Sequence, residues 1–373
     1  MFWCGGGDTG RNHHPRMVMC CSICYNMDIT KAKGGAEHEK TFDAIDLAKF
    51  IGSILIFAMH CVVFSDYERI SILPEIISRW GVPFFFLCSA YFLFSKSTEG
   101  NISRDVLLRY IRRIAILYAA WFVFNIPSIV YYRFLSKDLS FANACLKFLK
   151  NFFLGSSFTG SWYLASSIFS AWFVYTLSKK LKTKTVLGIT FLIYLLCVLT
   201  SAYYGVLPAG VSVVLGFLCF PLNIFNGCFY FALGKYIVEN KQAILEKVDQ
   251  KRALTGAIVF FAVYVFEIFL TRRLNIFDST DVAFSTAAVS LFLFLFLLQS
   301  TAEVKNALLL RKLSTIIYCC QGNVLLVNGF LKKIFGVPSI LAFLVSSLVA
   351  AAICLVVVLL QKRTKWAWTK YLT

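Results

Sequence analysis

Ten long apolar runs, joined by short connections that hold most of the lysines and arginines, constrain this chain more than any other feature. They lie at about 47–65, 76–95, 110–132, 161–178, 185–203, 211–237, 253–270, 282–300, 313–331 and 339–361. Most approach the ~20 residues that a helix needs to cross a bilayer. Composition supports the same solvent. The chain is 59% hydrophobic and 15% charged, against roughly 45–50% and about 25% in soluble domains. The pattern predicts an all-α polytopic membrane protein with about ten transmembrane helices. In the run 211–237, Pro221 predicts a break into a re-entrant piece and a shorter helix.

The net charge of +18 would suit a nucleic-acid partner, but the basic residues form short clusters between apolar runs, with no long basic stripe. Their distribution reads instead as topology, because cytoplasmic connections are enriched in Lys and Arg. With the N-terminus inside, 27 of the 37 Lys and Arg residues fall in inner segments and 10 in outer ones. Both termini are therefore expected in the cytoplasm. The outer segment "SKDLSFANACLKFLKNFFLG" has apolar residues at helical spacing and is expected to lie along the interface.

The chain divides into a polar tail (1–40), a membrane domain (41–361) and a short basic tail (362–373). The first tail is expected to be disordered, with Met27 an alternative start. Its His13, His14, Cys21 and Cys24 follow no common zinc spacing, and no metal is expected. No apolar core follows a basic start, which argues against a cleaved leader. The thirteen cysteines are irregularly spaced, and those in apolar runs read as small buried side chains.

Ionisable groups inside spanning segments are costly and usually face a cavity or a partner. In "DAIDLAKFIGSILIFAMH", Asp46, Lys49, Ser53 and His60 fall within a sector of roughly 60° on a helix. The stripe runs about 20 Å inward, at about 1.5 Å per residue. A separate explanation exists for each group: Asp46 at a helix N-terminus, Lys49 reaching for headgroups, His60 as an interhelical hydrogen bonder. In "SRDVLLRYIRRIAILY", Arg109, Arg112 and Arg113 suit either an inner-face anchor or a phosphate clamp. Trp162 and Tyr163 sit where an aromatic belt is expected or where a cavity wall would be. Glu267 is a candidate by intramembrane cost alone, and Gln321 and Asn323 either line a cavity or bridge helices.

Together, "IDLAKFIGSILIFAMH", "WGVPFFFLCSAYFLF", "LLRYIRRIAILY", "SWYLASS", "FNGCFYFALGKYI" and "LSTIIYCCQGN" resemble the acyltransferase family 3 membrane proteins over about 41–361. The resemblance implies His60 as the essential catalytic group, with Asp46 on its stripe. It implies Arg109, Arg112, Arg113 and Lys49 as donor-binding residues. Two departures stand out: many members have Arg in place of Lys49, and many carry a His near Gln321. The implied activity is transfer of an acyl group, acetyl above all, from acyl-coenzyme A to a hydroxyl of a cell-surface or lipid-linked polysaccharide in the inner membrane. Acyl-coenzyme A enters as co-substrate, and no bound cofactor is implied.

The rival from another class is a transporter or exporter of a glycan or small solute, which also buries polar residues at mid-membrane. It would be favoured by an inverted repeat, and none is visible in the sequence. The charge asymmetry gives a direct test. A reporter active only outside the cytoplasm, fused after Thr373, is expected to be silent, and strong activity would reverse the inside–outside assignment.

Overall fold

The computed structural model describes residues 42–97, 101–135, 140–218, 223–276, 281–362 and 372–373. The tail expected at 1–40 lies outside them, as does most of 362–373. Among the described residues there is helix and no strand. The chain begins with α1 (Asp43–His60), α2 (Leu73–Ser78), α3 (Gly81–Phe94), α4 (Arg104–Phe124) and α5 (Ile126–Val130). It continues with α6 (Phe141–Leu154), α7 (Ser161–Leu177), α8 (Thr183–Leu199), α9 (Ala209–Phe217) and α10 (Cys228–Glu239). The remainder is α11 (Lys241–Lys247), α12 (Gln250–Arg273), α13 (Thr286–Leu298), α14 (Ala307–Phe335) and α15 (Ser339–Lys362).

Every apolar run carries helix, but the expected ten full spans are not what the helices provide. Four stretches are long and apolar enough to cross a membrane: Glu68–Phe94, Gln250–Arg273, Ala307–Phe335 and Ser339–Lys362. A fifth arises if Arg104–Phe124 and Ile126–Leu135, bent by 69°, count as one. That bend has a local cause. Pro127 follows the break, and the Asn125 amide donates to Trp121 O at 2.8 Å and Cys319 O at 2.9 Å in place of a continuing ladder. Elsewhere the runs overstate helix length because turn and interhelical core are apolar too. The run 211–237 divides into α9 and α10 as its proline suggested. The expected interface segment forms α6, capped by the Ser140 hydroxyl on Asn143 N and exposing Phe141, Leu146, Leu149 and Phe153.

α3 is the central helix. Its sequence "GVPFFFLCSAYFLF" has no polar face, and a helix apolar all round is stable only when surrounded. It packs against α10, α13, α1 and α7. The approach of α10 is close because Gly234 has no side chain: a Cβ there would stand 2.5 Å from Ala90 Cβ and 3.0 Å from Tyr91 N.

α1 and α14 run parallel, which their cross-links fix. At one end Arg311 Nε donates to both Asp46 oxygens, at 2.8 and 3.0 Å. One turn on, Ser314 Oγ donates to Lys49 O at 3.1 Å. At the far end Lys332 Nζ donates to Cys61 O at 2.7 Å and Val62 O at 3.2 Å. Cys61 O is one of the carbonyls orphaned where the helix stops, whereas Val62 O also accepts Ser65 N at 3.1 Å. The turn that stops α1 passes through Val62 at φ 49°. The run 47–65 is thus no single helix, and His60 is the last residue of α1. In the same turn Asp66 accepts Ser339 N at 2.6 Å at the start of α15, and this backbone hydrogen bond holds its carboxyl below the usual carboxylate range.

The tight α3–α10 contact generates a prediction. Gly234→Val would gain less than about 1 kcal/mol of helix propensity but force a branched side chain into backbone, and overpacking typically costs about 1–3 kcal/mol. Thermal melting of the detergent-solubilised protein is expected to fall by several degrees.

Candidate active site

His60 ends α1 with its side chain ringed by protein yet accessible to a water-sized group. The two conditions together describe a cavity wall. The cavity, ≈ 50 Å³, holds a few water-sized groups. Among the described residues no hydrogen bond engages the His60 ring. An interhelical bonder would have a partner there, so the geometry favours a ring free to meet a ligand.

Five helices and three connections supply the other walls. Arg79, just before α3, and Asp281, before α13, form an ion pair at 2.5 Å beside His60. Arg79 also reaches Glu75 of α2 at 3.5 Å. Asn226, from the turn before α10, contributes an amide. Trp162 of α7 and Tyr318 of α14 close the sides. Tyr318 is held by its hydroxyl, which donates to Gly160 O at 3.2 Å. Gly160 has φ +83°, and a Cβ there would also press on the Tyr318 ring at 3.2 Å, so the start of α7 requires glycine on both grounds.

The structure brings some expected site residues together and separates others. His60 and Trp162 share the cavity. Tyr163 lies one layer behind, its ring 4.7 Å from Phe86 and 5.6 Å from Tyr318, its hydroxyl 2.9 Å from Ser89 Oγ. Asp46 is at the opposite end of α1, about 21 Å away at 1.5 Å per residue, where Arg311 engages both of its oxygens. It does not touch the imidazole. Lys49 lies on that end as well, its ammonium 5.2 Å from the Phe92 ring centroid. Arg109, Arg112 and Arg113 are exposed in the first half of α4. The stripe therefore joins two poles: Asp46 and Lys49 at one, His60 at the other.

Glu267 does not line the cavity. Its carboxylate accepts Tyr203 Oη at 3.1 Å, Phe284 N at 2.7 Å and Ser285 N at 2.9 Å, with the Ser285 hydroxyl as a further donor. It thus ties α12 to the start of α13, where a negative charge is favourable. Gln321 is fully buried outside the cavity lining, and neither its nitrogen nor its oxygen has a hydrogen-bond partner. Asn323 bridges helices: its oxygen accepts Ser128 N at 3.1 Å and its amide donates to Phe124 O.

Sequence reasoning missed Arg79, Asp281, Asn226 and Tyr318 as site residues. Three of them lie in or beside segments that carry the family resemblance, directly before "WGVPFFFLCSAYFLF" and within "FNGCFYFALGKYI" and "LSTIIYCCQGN". Asp281 had no local signal, since its partner is 202 residues away in the chain.

Comparison with known families decides what this arrangement belongs to. Residues 42–359 match the sequence profile of the acyltransferase domain known as acyltransferase 3. The chain belongs to acyltransferase family 3. The chain is also 27% identical over 218 residues to an amino-acid racemase of Enterococcus faecalis. That match covers 56% of the chain and 30% of the racemase, so the chain spans about a third of that relative's length. No solved structure matches. As a family 3 member the chain carries an acyltransferase domain, and its cavity pairs an unengaged imidazole with a nearby guanidinium, amide and indole.

The position of Asp46 yields a discriminating test. Removing one partner of a buried ion pair strands the other. Because Arg311 is about a quarter exposed, the loss for Asp46→Asn is expected to be about 2 kcal/mol rather than the ~3–5 of a wholly buried pair. The double variant Asp46→Leu/Arg311→Leu is expected to regain most of the thermal stability and of the acyl-transfer rate. An Asp46 that took part in the chemistry would leave the double variant as inactive as the single one.

Proposed function

We propose that the protein is an O-acyltransferase of the inner membrane. It moves an acyl group, acetyl above all, from acyl-coenzyme A to a hydroxyl of a cell-surface or lipid-linked polysaccharide. The observation that carries this reading is the accessible His60 ring, without a protein partner, in a cavity shared with Arg79, Asp281, Asn226 and Trp162. An indole face beside a carboxylate and an amide suits a sugar, which offers a flat apolar face and hydroxyl edges.

In the proposed step His60 acts in its neutral form, in which one ring nitrogen can accept a proton. Its free ring nitrogen takes the proton of the acceptor hydroxyl while that oxygen attacks the thioester carbonyl. Collapse of the tetrahedral intermediate expels the thiolate, which takes the proton back and leaves as the thiol of coenzyme A. The product is the ester. Such general-base help contributes roughly 10²–10⁴-fold in rate. Arg79 supplies a positive charge on the same wall, where an oxyanion would gain from it. Enclosure keeps bulk water from competing for the thioester.

The donor end is assigned to Arg109, Arg112, Arg113 and Lys49. On a helix turning about 100° per residue, Arg113 and Arg109 flank the inward face that carries Tyr110, Leu117 and Trp121, whereas Arg112 points away. Under the charge asymmetry of the connections this end faces the cytoplasm, where coenzyme A is confined. The proposal retains about ten crossings, both termini inside, with the shorter helices completing spans in a locally thin or protein-lined region.

His60→Gln tests the assignment. Glutamine keeps hydrogen-bonding capacity but cannot act as a base near neutral pH. Acyl transfer, measured by mass spectrometry of the acceptor glycan, is expected to fall at least 10²-fold with unchanged membrane insertion. Near wild-type transfer would make His60 a structural residue and sink the reading.

A further inference from the structure

A second concave surface lies away from the His60 cavity. It is an open groove of ≈ 420 Å³ along α8 and α10, lined by Lys184, Leu187, Gly188, Phe191, Phe229 and Tyr236. The four residues of α8 fall at i, i+3, i+4 and i+7, so a single face of that helix forms one bank. α10 runs antiparallel beside it: Thr183 Oγ1 donates to Glu239 at 3.0 Å, and the Phe191 and Phe229 rings meet at 5.5 Å. Lys184 and Tyr236 therefore stand at one end and the two phenylalanines at the other, about 10 Å away at 1.5 Å per residue.

Gly188 opens the groove. Glycine in a helix interior costs about 1 kcal/mol relative to alanine, and a close neighbour normally explains it, as at Gly234. At Gly188 a Cβ would meet nothing within 4 Å. The missing side chain leaves space on the surface instead of admitting another helix. A partner helix, about 10–12 Å across, would fill ≈ 420 Å³ in about one turn. A slender chain can lie along the whole length.

The two ends differ in chemistry. Beyond Phe191, Leu192 and Leu196 of α8 are exposed, as suits a helix that faces acyl chains. At the other end, "KKLKTK" places Lys179, Lys180, Lys182 and Lys184 within six residues, all exposed. The carboxylate nearest in the fold, Glu239, is engaged by Lys235. Among the described residues Lys184 has no ion pair and the Tyr236 hydroxyl no hydrogen bond. A basic cluster beside an apolar helix attracts anionic headgroups, and tyrosine is at home at their level.

We infer that the groove binds one anionic phospholipid. An acyl chain lies over Gly188 between Phe191 and Phe229, and Lys184 and Tyr236 hold the phosphate. A neutral lipid would fill the apolar part and leave the lysines without a counter-charge. The site does not depend on the reaction at His60. Its occupant joins α8 to α10, whose preceding turn carries Asn226 of the cavity wall.

The test uses the purified, delipidated full chain in detergent. Dioleoyl-phosphatidylglycerol is the anionic probe and dioleoyl-phosphatidylcholine the neutral one, with bound lipid counted by native mass spectrometry. Wild-type protein is expected to hold one phosphatidylglycerol about fivefold more tightly than phosphatidylcholine, as for one basic contact. Gly188→Leu fills the groove and is expected to weaken phosphatidylglycerol about tenfold, as for two methylenes kept off the apolar surface. Leucine is the better helix former and meets open space here, so the lipid-free melting temperature is expected to hold or rise. Lys184→Gln is expected to remove the preference for phosphatidylglycerol and leave phosphatidylcholine binding unchanged. Equal retention of the two lipids by wild-type protein would overturn the site, as would a preference that survives Lys184→Gln. Undiminished phosphatidylglycerol binding by Gly188→Leu would overturn it too. A lipid-free wild-type dimer that Gly188→Leu converts to monomer would assign the groove to a second copy of the chain instead.

Discussion

The site depends on α1 and α14 being held in parallel at both ends. Asp46–Arg311 fixes one end, and Lys332, donating to the carbonyls of Cys61 and Val62, fixes the other. The second fastening matters more for His60. A helix terminus leaves carbonyls unsatisfied, and in apolar surroundings an unsatisfied carbonyl is expensive enough to keep a helix going. Lys332 satisfies the Cys61 carbonyl and Ser65 N that of Val62, so α1 can stop at His60 and the chain turn away at Val62. The imidazole is then left at an edge facing a space between helices instead of being enclosed in a helix–helix seam.

Around that edge, the charges on the cavity wall compensate one another. Arg79 and Asp281 are paired, and Glu75 adds a second carboxylate to the guanidinium. Fixed opposite charges in a low-dielectric pocket keep their orientation without help from water, which makes them useful to a reaction that develops charge. The arrangement also shows how chain segments far apart in sequence become one wall: α1 delivers His60 from its end and α7 Trp162 from its start, the connections before α3, α10 and α13 deliver Arg79, Asn226 and Asp281, and α14 delivers Tyr318 from its interior. A helix end or connection offers a side chain room that a helix middle rarely does.

Much of this was legible in the sequence, and the limits have physical reasons. The 3.6-residue period put Asp46, Lys49, Ser53 and His60 on one face, because that relation is local. The family was legible because its motifs are local as well. The extent of each helix was not, since an apolar turn and an apolar helix have the same composition; α1 ending at His60 and α4 bending before Pro127 are two cases. The roles of Asp46 and Glu267 were hidden for another reason. A buried carboxylate signals a partner, but not whether the partner is a ligand, as at a reactive centre, or Arg311 and the backbone of Phe284 and Ser285, as here. Asp281 carried no signal because its meaning arises only when Arg79 is brought beside it.

The aromatic layer of Phe85, Phe86, Tyr163 and Tyr318, with rings 4.7–6.2 Å apart, has an electrical consequence. Charged and titratable groups stand at both ends of α1, Lys49 by Phe92 at one and His60 by Arg79 at the other, and a continuous file of water between such groups would conduct protons across the membrane. Each elementary charge that crossed would dissipate about 2.3 kcal/mol per 100 mV. Phe85 and Phe86 stand on α3 between those two ends, and the Tyr163 and Tyr318 rings pack against them. These rings put apolar surface where a water file would have to pass, so the layer acts as an insulator and the protein can carry polar groups at both poles of one helix without short-circuiting the membrane it sits in.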